Sequence, residues 1–257
     1  MVALDTYPGG ALMIALFVLG SLLMMALVRR RVTKETLRSY HEVGGYYMSV
    51  VGTLYAVILG LVVVDSTNKF NEARDETIRE ANALTEVYAM AEQMPEPHRS
   101  HLKGALYRYA VRSVGAGWQE MEAYQLDEEE MRAFEEIIAV ARQIEPFTEN
   151  QKAIYPLLLS SLITASENRQ GRLDFEHYTL PNVEWASLLL GAFATMAFTL
   201  FFTLDSLIAQ ALMTSLLALT LSLNLYIAFL FNTPYSGDLR VSRTPFLQSQ
   251  SYMAEHP

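Results

Sequence analysis

Cysteine is absent from the chain, which removes disulfide frameworks, thiolate metal sites and thiol nucleophiles. Basic residues are scarce: 19 Lys plus Arg stand against 28 Asp plus Glu, giving a formal charge of −9. A nucleic-acid binder needs a basic face, so that class is excluded. Hydrolytic signatures are missing as well. There is no Gly-x-Ser-x-Gly elbow, no His-Glu-x-x-His zinc helix and no phosphate-cradling glycine loop. Nothing in the sequence asks for an enzyme, and no cofactor or metal is expected. Strand signals are nearly lacking. The most informative lack is of charge, because four long stretches contain no Asp, Glu, Lys, Arg or His.

Those stretches are Ala11 to Val28, Tyr46 to Val64, Trp185 to Leu204 and Ser206 to Phe231. At about 1.5 Å rise per residue, each helix could cross a hydrocarbon core of about 30 Å. A soluble core helix carries a charged face at helical spacing, and these four do not. The pattern predicts an integral, multi-pass membrane protein, with the lipid bilayer as its first partner. The fold class is all-α, with transmembrane helices in two pairs flanking a helical extramembrane bundle. Residues 1–65 hold the first pair, 66–182 the extramembrane domain, 183–231 the second pair and 232–257 a tail. Between Ser66 and Asn182, 12 Lys plus Arg stand against 20 Asp plus Glu, so most of the negative charge lies in the middle.

The first span reads as an uncleaved anchor, because Met1 to Gly10 carry no Lys or Arg while Arg29, Arg30, Arg31, Lys34 and Arg38 follow it. The positive-inside rule then puts the 29–43 loop in the cytoplasm and both termini and the acidic middle outside.

No Gly or Pro interrupts the chain between Gly60 and Pro95. Phe70, Ala73, Ile78, Ala81, Leu84, Val87, Tyr88 and Ala91 recur at three- and four-residue steps, so one long helix is predicted from about Gly45 to Met94. Pro95 and Pro97 end it. A further helix is expected from His98 to Tyr124, weakened by Gly115 and Gly117. Another starts at Asp127, with Glu130 at capping-box spacing, and a fourth opens at Thr148 with Gln151 and runs through Pro156 to about His177. The last two spans form a hairpin around Thr203 to Ser206, and Pro234, Ser236 and Gly237 break the final helix into a short tail.

Span three carries Ser187, Gly191, Thr195, Thr199 and Thr203 at strict four-residue spacing. Span two carries Gly45, Ser49, Gly52, Ala56 and Gly60, with Thr53 and Tyr55 alongside. Small residues let helices approach closely, and hydroxyls can bond across the contact. The same side chains could line a pore. Packing and pore lining both stay open. Asp65 and Lys69, one turn apart at the end of span two, form either an exposed ion pair or a charged ring at a pore mouth. His98 and His101 have metal-sharing spacing, with Glu96 nearby, but no further ligand is evident. No charged residue lies deep in a span, which counts against a coupled transporter or proton relay.

At these residues the chain resembles a family of prokaryotic membrane proteins labelled bestrophin-like. The segment from Tyr55 to Val64 carries the resemblance, followed by Glu80-Ala-Asn-Ala-Leu84, Tyr88, Pro95 and Arg99. Trp118 with Met121, Arg169 with Arg172, and Pro181 with Trp185 come in the same order. The tail from Asn232 to Ser242, including Pro234, Ser236, Gly237 and Arg240, and then Pro245-Phe246, is similar to the family's most recognisable motif. The family often has Trp where Thr67 stands and Arg where Ala89 stands. More distantly the chain is similar to true bestrophins, which are pentameric anion channels with a long second helix lining the pore and a cytoplasmic helical domain. That topology would put the acidic domain inside, against the loop charges.

Together these readings predict a homo-oligomeric ion channel that conducts inorganic ions passively along an axis lined by span two. Ser49, Thr53, Ala56 and Gly60 would face the pore or a neighbouring subunit. The acidic domain favours cations by its charge, whereas the resemblance implies anions. A non-conducting scaffold or sensor, whose helical domain binds a partner or ligand, is the alternative.

Overall fold

Thr6 starts the first helix: its hydroxyl accepts from Gly9 N at 3.3 Å, and Pro8 sits in the opening turn. The computed structural model describes residues 4–39, 41–122, 128–176 and 179–256, and all its regular structure is helical. The helices in order are α1 (Tyr7–Arg31), α2 (Lys34–Ser39), α3 (His41–Ala91) and α4 (His98–Arg112). A π-helical turn (Ser113–Gly117) follows, then α5 (Trp118–Glu122), α6 (Glu128–Arg142) and α7 (Glu149–Glu176). The last are α8 (Asn182–Thr199), α9 (Leu207–Phe231) and α10 (Thr244–Glu255).

The long second helix is present. α3 has 51 residues, about 75 Å at 1.5 Å each. It closes with tight turns from Gln93 to Met90 and Met94 to Ala91, just before Pro95. The helix expected over 98–124 is interrupted by the π-helical turn, which contains Gly115 and Gly117. The proposed Asp127 cap lies outside the described residues. Thr148 and Gln151 do form reciprocal capping bonds, Gln151 N to Thr148 Oγ1 and Thr148 N to Gln151 Oε1, both at 3.2 Å.

Two elements differ from the sequence expectation. α8 stops at Thr199 rather than Leu204. The side chain of Gln210, buried, donates to Phe202 O at 2.9 Å and accepts from Leu204 N, so it ties the hairpin as a turn. Among the described residues three helices are long and apolar enough to cross a membrane, within Tyr7–Arg31, Val43–Ala91 and Leu207–Phe231; α8, with 18 residues, is not one of them. The tail, expected to be short and broken, contains α10, which starts seven residues beyond Gly237 with Pro245 in its first turn.

The chain divides into two units. The first comprises Met1–Lys69, Thr179–Thr233 and Gly237–Leu239. In it α1 lies along α9, and Gly10 sits so close to the Tyr226 ring that an added Cβ would be 1.9 Å away. Tyr55 and Leu59 of α3 pack with Leu188, Ala192 and Met196 of α8 and with Ala218, Leu221 and Leu225 of α9. The outer surface stays apolar: Leu61 is 66% exposed, Leu190 68% and Ile208 81%. So much exposed aliphatic surface needs lipid or another chain against it.

The second unit comprises Phe70–Tyr178, Pro234–Ser236 and Arg240–Pro257. Its core is built from α3, α4, α6, α7 and α10, with Leu84, Val87, Leu102, Leu106, Tyr109, Ile137, Leu158 and Phe246 fully buried. Ser249 of α10 accepts from Thr85 at 2.8 Å, and Tyr88 donates to Met253 O and His256 O, so α10 is fastened to α3 along its length.

Candidate functional site

In the first unit, α3 buries a narrow face. Between residues 46 and 64, only Tyr55 and Leu59 are buried; Tyr46, Val50, Leu54, Val57, Leu61 and Val64 are all more than half exposed. Ser49, Thr53, Ala56 and Gly60 lie exposed at helical spacing, and open space surrounds the Cβ positions of Gly52 and Gly60. Asp65 follows exposed, and Lys69 is half-buried. Over residues 46–64 the chain therefore offers a long, uncharged helix surface carrying small residues and hydroxyls, most of it exposed.

The α8 stripe behaves differently. Gly191 lies against the Tyr55 ring, where a Cβ would be 2.2 Å from it. Thr195 is buried and donates to Gly191 O at 2.8 Å, Thr199 donates to Met196 O at 2.6 Å, and exposed Ser187 donates to Glu184 O at 2.8 Å. Thr203 is buried. The hydroxyls of Ser187, Thr195 and Thr199 satisfy their own helix, and Gly191 makes room for a neighbouring helix. That of Thr203, beyond the helix end, has no hydrogen-bond partner among the described residues. The tail motif is split between the units. Gly237 has φ of 77°, a left-handed conformation suited to glycine, and a Cβ there would be 2.4 Å from Asp5 O. Asp238 N donates to Asp5 O at 3.1 Å, and its carboxylate accepts from Tyr7 N at 2.7 Å. In the second unit Pro234 is buried, Ser236 half-buried and Arg240 exposed.

The second unit gathers Glu80, Trp118, Met121 and Phe246 of the family motifs around one side chain. Arg172 of α7 is 1% exposed. Its Nε donates to Glu80 Oε2 of α3 at 2.7 Å, and its Nη2 donates to Glu130 Oε1 of α6 at 2.9 Å. Its Nη1 approaches Met121 Sδ at 3.3 Å, and its guanidinium stacks 5.5 Å from the Phe246 ring centre. Tyr109 donates to Glu80, and Ser113 donates to Glu130 at 2.6 Å. Trp118 meets Tyr235 and Phe246 edge-on at 5.9 and 6.4 Å, while Tyr235 donates to Ala73 O at 3.0 Å. One buried cation thus holds α3, α6 and α7, with the residues of α4, the π-helical turn, α5, α10 and the tail motif closing around it.

Burial pushes the Glu80 carboxyl above its ordinary range, more than Arg172 beside it pulls it down. Burial also pushes Glu130 up, but Arg172, the Ser113 hydrogen bond and Arg169 together hold it below. Burial likewise raises the Tyr109 and Tyr235 phenols. The two carboxylates are tuned apart by their surroundings. The cluster serves as a fastening of the unit, tying α3, α6 and α7 through buried charge. Glu130 appears in the sequence as a first-turn carboxylate, and Glu80 and Arg172 as separate motif fragments; their meeting depends on helices 92 residues apart. The unit also carries an open cleft of about 590 Å³. Its charges answer one another, Lys103 to Glu92 at 2.7 Å and Arg99 to Glu96 at 2.8 Å.

Long apolar helices joined to a helical unit locked on a buried arginine define a membrane-associated, all-helical class of protein. The Bestrophin-like domain family matches residues 15–246, and the chain belongs to that family. Among solved structures it is similar to a mutant of a bacterial bestrophin homologue from Klebsiella pneumoniae, with 14% identity and a TM-score of 0.72 over 94% of this chain and 98% of that one. The Klebsiella pneumoniae homologue phased with zinc gives 15%, 0.68, 94% and 97%. A mutant described as a membrane protein gives 15%, 0.71, 94% and 97%. No curated protein matches the chain.

Proposed function

We propose that the protein is a homo-oligomeric ion channel of bestrophin type, with α3 of each subunit around a central axis. The supporting observation is the face of α3: a nearly uncharged helix surface with only Tyr55 and Leu59 buried within its own chain. Several copies brought together cover that surface and enclose a path along it. Ser49, Thr53, Ala56 and Gly60 line the path or meet the neighbouring α3, while Asp65 and Lys69 stand at its mouth. The α8 stripe takes the packing role, and α8 completes a multi-pass membrane unit in the inner membrane with α1, α3 and α9. Conduction is passive, without a cofactor or a catalytic step; the chain's partners are lipid, its own copies and inorganic ions, not nucleic acid. The acidic balance of the chain favours cations at the mouth.

Reconstituted protein tests this directly. Flux under an ionic gradient is expected, and the sign of the reversal potential in asymmetric salt reports the selectivity. Because the chain has no cysteine, Thr53→Cys and Ala56→Cys place single thiols on an otherwise unreactive background. A charged thiol reagent is expected to change the current through both variants and leave Thr195→Cys unaffected. Absence of flux under every gradient, with a monomer or dimer in detergent, would establish the scaffold reading instead.

A further inference from the structure

An apolar groove of about 490 Å³ runs between α1 and α8 inside the first unit, with Leu16, Gly20 and Met24 on one wall and Leu189, Phe193 and Ala197 on the other. Ser21, the hydroxyl in its lining, already donates to Phe17 O at 2.8 Å, so the groove offers water no donor to pair with. The space beside Gly20 is open. We infer that this groove holds one acyl chain of an anionic phospholipid, whose phosphate lies at the arginines that end α1. The inference rests on the membrane reading of α1 and α8.

Two lengths and a charge favour that occupant. From Leu189 to Leu200, the span of α8 that lines the groove, is eleven residue steps, about 16 Å at 1.5 Å each. That is close to one leaflet, half of a hydrocarbon core of about 30 Å. The groove is therefore as long as one fatty chain, not two. Arg31 follows Phe17 and Met24 at seven-residue steps on the same face of α1, about 10 Å beyond Met24. The headgroup layer extends about 5–8 Å past the hydrocarbon, so a lipid seated in the groove brings its phosphate to this turn. There Arg29, Arg30 and Arg31 are consecutive. Arg29 donates Nη2 to Leu204 O at 2.8 Å, and its buried Nη1 has no hydrogen-bond acceptor among the described residues. A phosphate supplies negative charge to three cations, and the acyl chain covers the exposed leucines of both walls.

Native mass spectrometry of the detergent-purified protein, with added palmitoyl-oleoyl phosphatidylglycerol or phosphatidylcholine, tests the site. The unsubstituted chain is expected to retain phosphatidylglycerol in preference. Gly20→Phe fills the groove from the α1 wall and Ala197→Phe from the α8 wall; each is expected to lower retention by about tenfold, a change of one decade in affinity. Arg30→Gln with Arg31→Gln is expected to erase the preference between the two lipids while leaving the groove intact. Equal retention of both lipids by the unsubstituted chain overturns the inference. So does undiminished retention in the two groove variants, or a loss of subunit association in them with lipid still bound, which would mark the groove as a contact between copies. Ion flux measured on the same preparations separates the outcomes, because a non-conducting protein can still bind the lipid. A chain that stays monodisperse without detergent removes the membrane reading and the site together.

Discussion

Arg172 serves two buried carboxylates at once, and removing its guanidinium takes from each the cation hydrogen-bonded to it. Arg172→Met is expected to destabilise the second unit by about 3–5 kcal/mol near neutral pH. Thermal unfolding in detergent followed by tryptophan fluorescence reads this well, because Trp118 sits beside Phe246 in the same cluster. The effect depends on pH with a definite sign. Glu80, raised by burial, binds its proton more tightly in the folded protein than in the unfolded chain, so its ionisation costs stability as pH rises through its folded pKa. Glu130, held low, contributes stability above the ordinary carboxylate value of 4.5, and that contribution is lost as pH falls through its folded pKa. In Arg172→Met both carboxyls rise, so the deficit relative to the unsubstituted chain is expected to narrow as pH falls from neutral toward the ordinary carboxylate range. A deficit independent of pH would mean that the guanidinium acts by volume alone. Glu80→Gln keeps the side-chain shape and one acceptor oxygen and removes the costlier charge, so it is expected to destabilise less than Glu130→Gln in the same measurement.

At the scale of the helix, glycines separate packing surfaces from open ones. Gly191→Ala drives a methyl group into the Tyr55 ring and is expected to cost about 1–3 kcal/mol in the same thermal assay. Gly60→Ala meets nothing within its own chain, so any loss it causes is expected in subunit association, read as mass in detergent. Tyr88→Phe removes two bonds that fasten α10 and is expected to cost about 1 kcal/mol. Hydrogen exchange across 244–255 checks it, and unchanged protection there would assign the docking of α10 to its apolar contacts. The element map was largely legible in the sequence because α3, α7 and α9 have lengths and periodicities that local rules decide. Two features were not. The early end of α8 depends on Gln210 reaching back across a turn, and an uncharged run carries no sign of that. α10 follows a proline- and glycine-containing stretch that reads locally as a terminus, although Pro245 in its first turn and the buried Phe246 mark a new helix. The Arg172 cluster lay in plain view as Glu80, Trp118, Arg172 and Phe246. Its convergence did not, since an ion pair between distant helices leaves no local spacing.

For the whole molecule, the family over residues 15–246 defines the fold, and the chemistry lives in the chain's own surfaces. The oligomer is the decisive quantity, since the proposed pore needs the α3 faces of several copies. Detergent mass measurements are expected to return a multiple of the 28.9 kDa chain, and a solely monomeric particle would leave that face without a role. The clasp among Asp5, Tyr7 and Asp238 has a consequence for synthesis. Its partners are separated by 231 positions, and Tyr226, which donates to Thr6 O at 2.9 Å, is separated from it by 220. A ribosome therefore releases α1 long before anything exists to latch its leading end. That helix must persist unlatched while the 231 positions that separate the partners are translated, and nascent chains arrested before Asp238 should leave that end open to protease.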